Sequence, residues 1–128
     1  MSTHRSRLCG VVVDVPRPQY DAAVRFYAEV MGQAGEIDDD DPDYASYGKG
    51  NNAIELLVQA VGDDNPRVHL DIETEDVDAE VARLIALGAT EVERIHTWVV
   101  MRDPVGTVFC VVRVQSPEAF EAHAKNWS

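Results

Sequence analysis

Several large classes of protein are excluded by what this chain has little of. Only two of its 128 residues are cysteines, too few for the disulfide framework of a small secreted domain. Cys9 and Cys110 fall early and late in the chain. Spacing alone leaves a bridge between them open, and two reduced thiols in a cytoplasmic protein are the expectation. No apolar run is long enough to span a bilayer. The opening MSTHRSR is polar and has no apolar core, so no signal peptide is expected. Basic residues are scarce: 11 Lys and Arg face 23 Asp and Glu, for a net charge of −12. Such a surface repels phosphate, which argues against nucleic acid and anionic membrane as partners. The GKGNN segment lacks the spacing of a phosphate loop, and there is no nucleophile elbow.

What is present is an ordinary globular composition, 45% hydrophobic and 27% charged, in a chain of single-domain size. Leu8 to Val15 reads as a valine-rich strand closed by Pro16 and Pro18. From Tyr20 to Met31, Val24, Tyr27, Val30 and Met31 recur on one helical face, and Gly32 is the natural stop. The acidic GEIDDDDPD stretch resembles a calcium loop in composition only. A loop starting at Asp38 needs Glu at its twelfth position and has Lys49 there, so a solvated loop is expected. Tyr44 to Gly50 reads as a short strand and turn. In the strand from Ala53 to Val58, Ala53, Glu55 and Leu57 share one face, and Ile54, Leu56 and Val58 share the other.

A polar linker, AVGDDNP, precedes a second pass through the same order. Val68, Leu70 and Ile72 face one way, and His69, Asp71 and Glu73 the other. The apolar side must meet helices, which turns the polar side to the concavity of a sheet. A helix from about Asp76 to Leu87 buries Val77, Val81, Leu84 and Ile85 and stops at Gly88. Thr97 to Met101 and Thr107 to Val114 form a hairpin around DPVG. Ser116-Pro117-Glu118 starts a short C-terminal helix within 116–127, and its Phe120 and the following Trp127 are expected to pack on the body or on a partner subunit. The prediction is one α+β domain over 1–128. It contains two tandem βαβββ modules, 7–60 and 66–115, that form a curved mixed sheet with helices on the convex face.

At this point the chain resembles the vicinal oxygen chelate superfamily, which includes glyoxalase I, extradiol dioxygenases, bleomycin-resistance proteins and fosfomycin-resistance enzymes. The resemblance rests on FYAEVMG at the end of the first helix, on PRVHLDI and ALGA, and on W-x-V-M-x-D-P-x-G-x-x-F-C, and it spans roughly residues 7 to 115. It implies the glyoxalase-like fold, a homodimer, and a divalent metal held at four strand positions. Carried over by position, the fourth-strand ligand is Glu55 and the fifth-strand ligand is His69. The first-strand position falls on Gly10, which has no side chain, and the eighth on Cys110.

The candidate site follows. Glu55 and His69 are the expected catalytic pair, able to act as general acid and base, and the expected metal ligands. A buried carboxylate without a partner costs several kcal/mol, so Glu55 needs an explanation that His69 could supply. Asp71 shares a strand face with His69 about 6.6 Å along. Asp71, Cys110, Met101 and Trp98 are the candidate substrate contacts. An even hairpin turn would put Met101 on the face of Cys110; an odd one would put Trp98 there. The function expected is binding of a small organic molecule in the concave groove between modules, for sequestration or resistance. The alternatives are a divalent-metal-dependent lyase, isomerase or dioxygenase with an incomplete metal site, and a protein-interaction domain that kept the fold and lost the site.

Overall fold

The computed structural model describes residues 3–37, 39–47 and 53–128. Asp38 and Lys49 of the calcium-loop test, the turn expected after Tyr47, and GKGNN lie outside the described residues. The strands are β1 (His4–Pro16), β2 (Glu36–Ile37), β3 (Tyr44–Tyr47), β4 (Glu55–Val61), β5 (Arg67–Thr74), β6 (Thr90–Ile95), β7 (Trp98–Arg102), β8 (Val108–Arg113) and β9 (Lys125–Trp127). The helices are α1 (Tyr20–Met31), α2 (Val77–Ala86) and α3 (Pro117–His123). The mixed α+β class and the duplicated βαβββ order are as the sequence predicts. The chain divides into two compact units, one of residues 10–68 and one of residues 1–9 with 69–128.

In the 10–68 unit, the second part of β1 runs parallel to β4, with Gly10 opposite Glu55 and Val13 opposite Val58. β3 pairs antiparallel with β4, and β2 with β3. Tyr20, Ala23, Val24, Tyr27, Ala28 and Met31 of α1 pack on Val15, Tyr47 and Val58. That spacing is one face of a 3.6-residue helix. Val30 lies off it, 59% exposed. The Tyr47 hydroxyl donates to the Val24 carbonyl at 2.6 Å and ties strand to helix. Gly32 caps α1 in the left-handed conformation, φ 71°, as a C′ glycine does.

In the other unit, β5 is parallel to β8, and β7 is antiparallel to both β8 and β6. One sheet face meets α2: Val99, Met101, Phe109 and Val111 pack on Val81, Leu84 and Ala89. Val99, Met101 and Val111 are wholly buried, each contributing about 1.5–3 kcal/mol of transfer free energy. Asp76 caps α2 by accepting from the Ala79 amide at 3.0 Å. The DPVG turn closes through Asp103, whose Oδ1 accepts from the amides of Val105 and Thr107, both at 2.9 Å. Gly88 follows α2 at φ +107°, and a Cβ there would stand 3.3 Å from Pro104 Cγ. Gly88→Ala is therefore expected to cost about 1–2 kcal/mol from the left-handed backbone alone. Urea unfolding measures it; a loss of a few tenths would show that the backbone relaxes.

Two sequence expectations need correction. The first strand was expected from Leu8 and begins at His4. The residues added are polar, yet His4, Ser6 and Arg7 are buried, 7%, 2% and 8% exposed. Carboxylates hold them there. Glu80 of α2, fully buried, accepts from His4 Nε2 and Ser6 Oγ, each at 2.7 Å, and from Arg83 Nε at 2.8 Å. Glu73 of β5, also fully buried, accepts from Arg7 Nε at 2.6 Å. The backbone amides of Gln115 and Ser116 donate to its other oxygen at 2.6 and 3.2 Å.

The second correction concerns the C-terminus, expected as helix across 116–127. α3 ends at His123, and Lys125–Trp127 instead pair antiparallel with Ser6–His4. The Trp127 indole N–H donates to Ser6 Oγ at 2.8 Å, and the Arg83 guanidinium lies 3.9 Å from its ring centroid. That bond and the cation–π contact are available only if the chain extends past Ala124. Phe120 is 2% exposed, with the Arg5 guanidinium 5.0 Å over its ring. Both aromatics therefore pack on the chain's own body.

Candidate functional site

Strand alternation decides which side chains can meet. On β5, His69, Asp71 and Glu73 project to one face, opposite the face that α2 covers. The register aligns Asp71 with Cys110 and Cys110 with Val100. Cys110, Val108 and Val112 of β8 and Trp98 and Val100 of β7 thus share that polar face. All five are half-buried.

The hairpin parity is settled by this register. Trp98 stands on the face of Cys110, whereas Met101 is fully buried against α2. Met101 is a core residue and does not line the candidate site.

His69, Asp71 and Cys110 come together: one donor atom from each lies within 4.8 Å of the others. His69 Nε2 is 3.4 Å from Asp71 Oδ1, with the two side chains 12% and 18% exposed. Asp71 Oδ1 is buried and accepts no hydrogen bond from the described residues. The Asp71 carbonyl accepts from Cys9 Sγ at 3.4 Å. No disulfide joins Cys9 and Cys110. Glu73, third in the row, is committed to Arg7 and two amides and is a structural carboxylate.

Glu55 belongs to the other unit. It is buried on β4, 7% exposed, with Gly10 as its register partner on β1. The corresponding parallel strands of the second module set Asp71 opposite Cys110. Sequence reading gave Asp71 a secondary place behind Glu55 and His69. The signal available was the His-x-Asp spacing; what was missing was the register that sets Asp71 beside a thiol.

The metal implied by the resemblance can be tested against these residues. The first-strand position fails, because Gly10 offers no donor. The trio of imidazole nitrogen, carboxylate oxygen and thiol sulfur fits a divalent ion of borderline softness, which accepts all three donor types. It does not fit Mg²⁺ or Ca²⁺, which take oxygen shells.

On the α2 side of the same sheet, Leu70, Ile72, Leu84, Phe109 and Pro104 line an apolar cleft of about 280 Å³. It has almost no polar lining and stands on the face away from His69 and Cys110, so the chemistry lies elsewhere.

Comparison with known proteins bears on the fold and family. Among solved structures, a protein described as NAD-dependent benzaldehyde dehydrogenase from Legionella pneumophila superposes with a TM-score of 0.63 at 13% identity, covering 83% of this chain and 98% of that one. Methylmalonyl-CoA epimerase from Mycobacterium tuberculosis gives 0.57 at 21% identity, over 88% of this chain and 90% of its own. The Streptomyces coelicolor epimerase in complex with 2-nitronate-propionyl-CoA gives 0.57 at 16%, over 86% and 95%. At these identities the likeness is one of fold. No curated protein matches the sequence. The family model described as glyoxalase-like domain matches residues 10–112. That match covers most of both βαβββ modules, and the chain belongs to the glyoxalase-like domain family of the vicinal oxygen chelate superfamily.

Proposed function

We propose that this protein binds a small organic molecule, as a homodimer, on the sheet face of β5, β8 and β7. The carrying observation is the composition of that face. Trp98, Val100, Val108 and Val112 offer half-buried apolar area, and His69, Asp71 and Cys110 converge beside them. Small-molecule sites have this make-up: apolar and aromatic walls that supply affinity, with a few placed polar groups that fix orientation. Trp98 contributes a flat ring for stacking, and His69 and Asp71 anchor a polar substituent. Sequestration fits this face without requiring a reaction.

A thermal-shift screen of small organic molecules tests the reading. A ligand at about 100 times its Kd should stabilise the fold by about 2.7 kcal/mol. Trp98→Ala and His69→Ala should each reduce the shift, whereas a substitution at exposed Phe26, 61% exposed on α1, should leave it unchanged. Shifts that survive both site variants would move the site elsewhere. Light scattering of the same sample tests the dimer; a mass of 14.2 kDa rather than twice that would refute it.

A further inference from the structure

We infer that the cleft between α2 and the sheet binds a cationic amphiphile: an alkylammonium whose chain of about nine carbons lies in the cleft and whose head is held by Asp103. The cleft lies within the unit of residues 1–9 and 69–128. It stands on the opposite sheet face from His69, Asp71 and Cys110, so it is independent of the ligand proposed for that face.

Three observations carry it. The first is the lining. Leu84, Ala89 and Phe109 line the cleft from the buried side. Leu70 and Leu87 also line it, and they are 38% and 65% exposed. Large apolar side chains left this open forgo the stabilisation that burial gives. An apolar chain laid between them covers both.

The second is what keeps the cleft open. The chain leaves α2 through Gly88 and Ala89, two residues without large side chains, and Pro104 of the DPVG turn stands against them. A Cβ on Gly88 would lie 3.3 Å from Pro104 Cγ. The turn itself is fixed by Asp103 Oδ1, which accepts from two amides. Helix end and turn are thus held at a set spacing with small residues between them, and about 280 Å³ stays unfilled. One carbon group fills about the volume of one water, roughly 30 Å³, so that space matches a chain of about nine carbons.

The third is charge. Asp103 is the one charged residue among those that line the cleft. Its Oδ1 is committed to the amides of Val105 and Thr107, and no hydrogen bond among the described residues uses Oδ2. An ammonium group donates to that oxygen, whereas a carboxylate or phosphate is repelled by it. The net charge of −12 over the whole chain adds the same preference.

The test is isothermal titration calorimetry of the full-length chain with hexyl-, octyl-, decyl- and dodecylammonium, each below its micelle concentration. Affinity should rise about fourfold per methylene, the fold-change for burying one CH₂, and should level off beyond about nine carbons. Octanoate should bind at least about tenfold more weakly than octylammonium, because attraction to Asp103 becomes repulsion, and octanol should fall between them. Asp103→Asn keeps the acceptor that the turn needs and should bring octylammonium down to the level of octanol. Leu70→Ser and Leu87→Ser should each weaken octylammonium by about tenfold. Their unfolding midpoints without probe check that the fold is intact. Affinity independent of chain length, equal binding of octanoate, or binding unchanged in both leucine variants would overturn the site. Loss of binding in Trp98→Ala would also overturn it, by putting the probe on the other sheet face. So would binding that weakens as protein concentration rises, because a second copy of the chain would then occupy the cleft.

Discussion

Glu73→Ala should destabilise this protein by about 3–5 kcal/mol, the cost of stranding a buried charge. Glu73 has no exposed surface, and its partner Arg7 is 8% exposed. Removing the carboxylate leaves the guanidinium buried without its 2.6 Å acceptor. It also leaves the amides of Gln115 and Ser116 without theirs. Domains of this kind are stable by about 5–15 kcal/mol in total, so the variant should unfold at a much lower urea concentration. Replacing both partners, as Arg7→Met with Glu73→Leu, removes the stranded charge and should recover part of the loss. Recovery should be incomplete, because the two amides stay unsatisfied. A loss below about 1 kcal/mol in the single variant would mean that water reaches the site.

Glu80→Gln should have the second-largest effect and should change its size with pH. Burial pushes the Glu80 carboxyl up, but the hydrogen bonds from Arg83, Ser6 and His4 outweigh burial and hold it below its ordinary 4.5. The folded value is thus lower than the unfolded one. Protonation therefore favours the unfolded chain, and the carboxylate's contribution is full above about pH 4.5 and disappears as pH falls through the folded value. At neutral pH the substitution should cost about 3 kcal/mol, since hydrogen bonds to a charged acceptor are worth about 1.5–3 kcal/mol each. On acidification the native protein should lose stability faster than the variant, and the gap between them should close. Parallel acid limbs in thermal unfolding would show that Glu80 is not the linked group.

These two carboxylates also mark where sequence reading stopped. The second module was legible because its periodicity is local: alternation in 68–72, a helical face ending at Gly88, and Pro and Gly in the DPVG turn, although Ile85, expected in the buried face, lies at its edge and is 48% exposed. α1 was legible for the same reason, apart from Val30. The first residues of β1 were not. His4, Ser6 and Arg7 look like solvated surface, and the residues that bury them stand 66 to 76 positions away. No window of ordinary length contains both partners. β6 was missed because five of its six residues are exposed, so it shows no apolar face.

The candidate site was half legible. His69, Asp71 and Cys110 were each singled out, but their convergence depends on the register of two strands some forty residues apart. The choice between Trp98 and Met101 depended on one unit of turn parity. A one-residue slip exchanges every side chain between faces, and only the backbone hydrogen bonds of the hairpin decide it.

The division of β1 has a consequence for how the chain can be made and cut. Duplication in the sequence suggests a boundary in the AVGDDNP linker, and a fragment starting there would contain a whole βαβββ repeat. It would nevertheless lack residues 4–9, and with them Arg7 beside Glu73, His4 and Ser6 beside Glu80, and the strand on which Lys125–Trp127 lies. During synthesis, residues 10–68 have all of their own unit once they emerge, while residues 4–9 must wait for the last sixty residues. The strand segments His4–Ser6 and Lys125–Trp127 are therefore one structural element drawn from distant parts of the chain. The repeat inherited in the sequence and the compact unit of the structure are different segments of this protein.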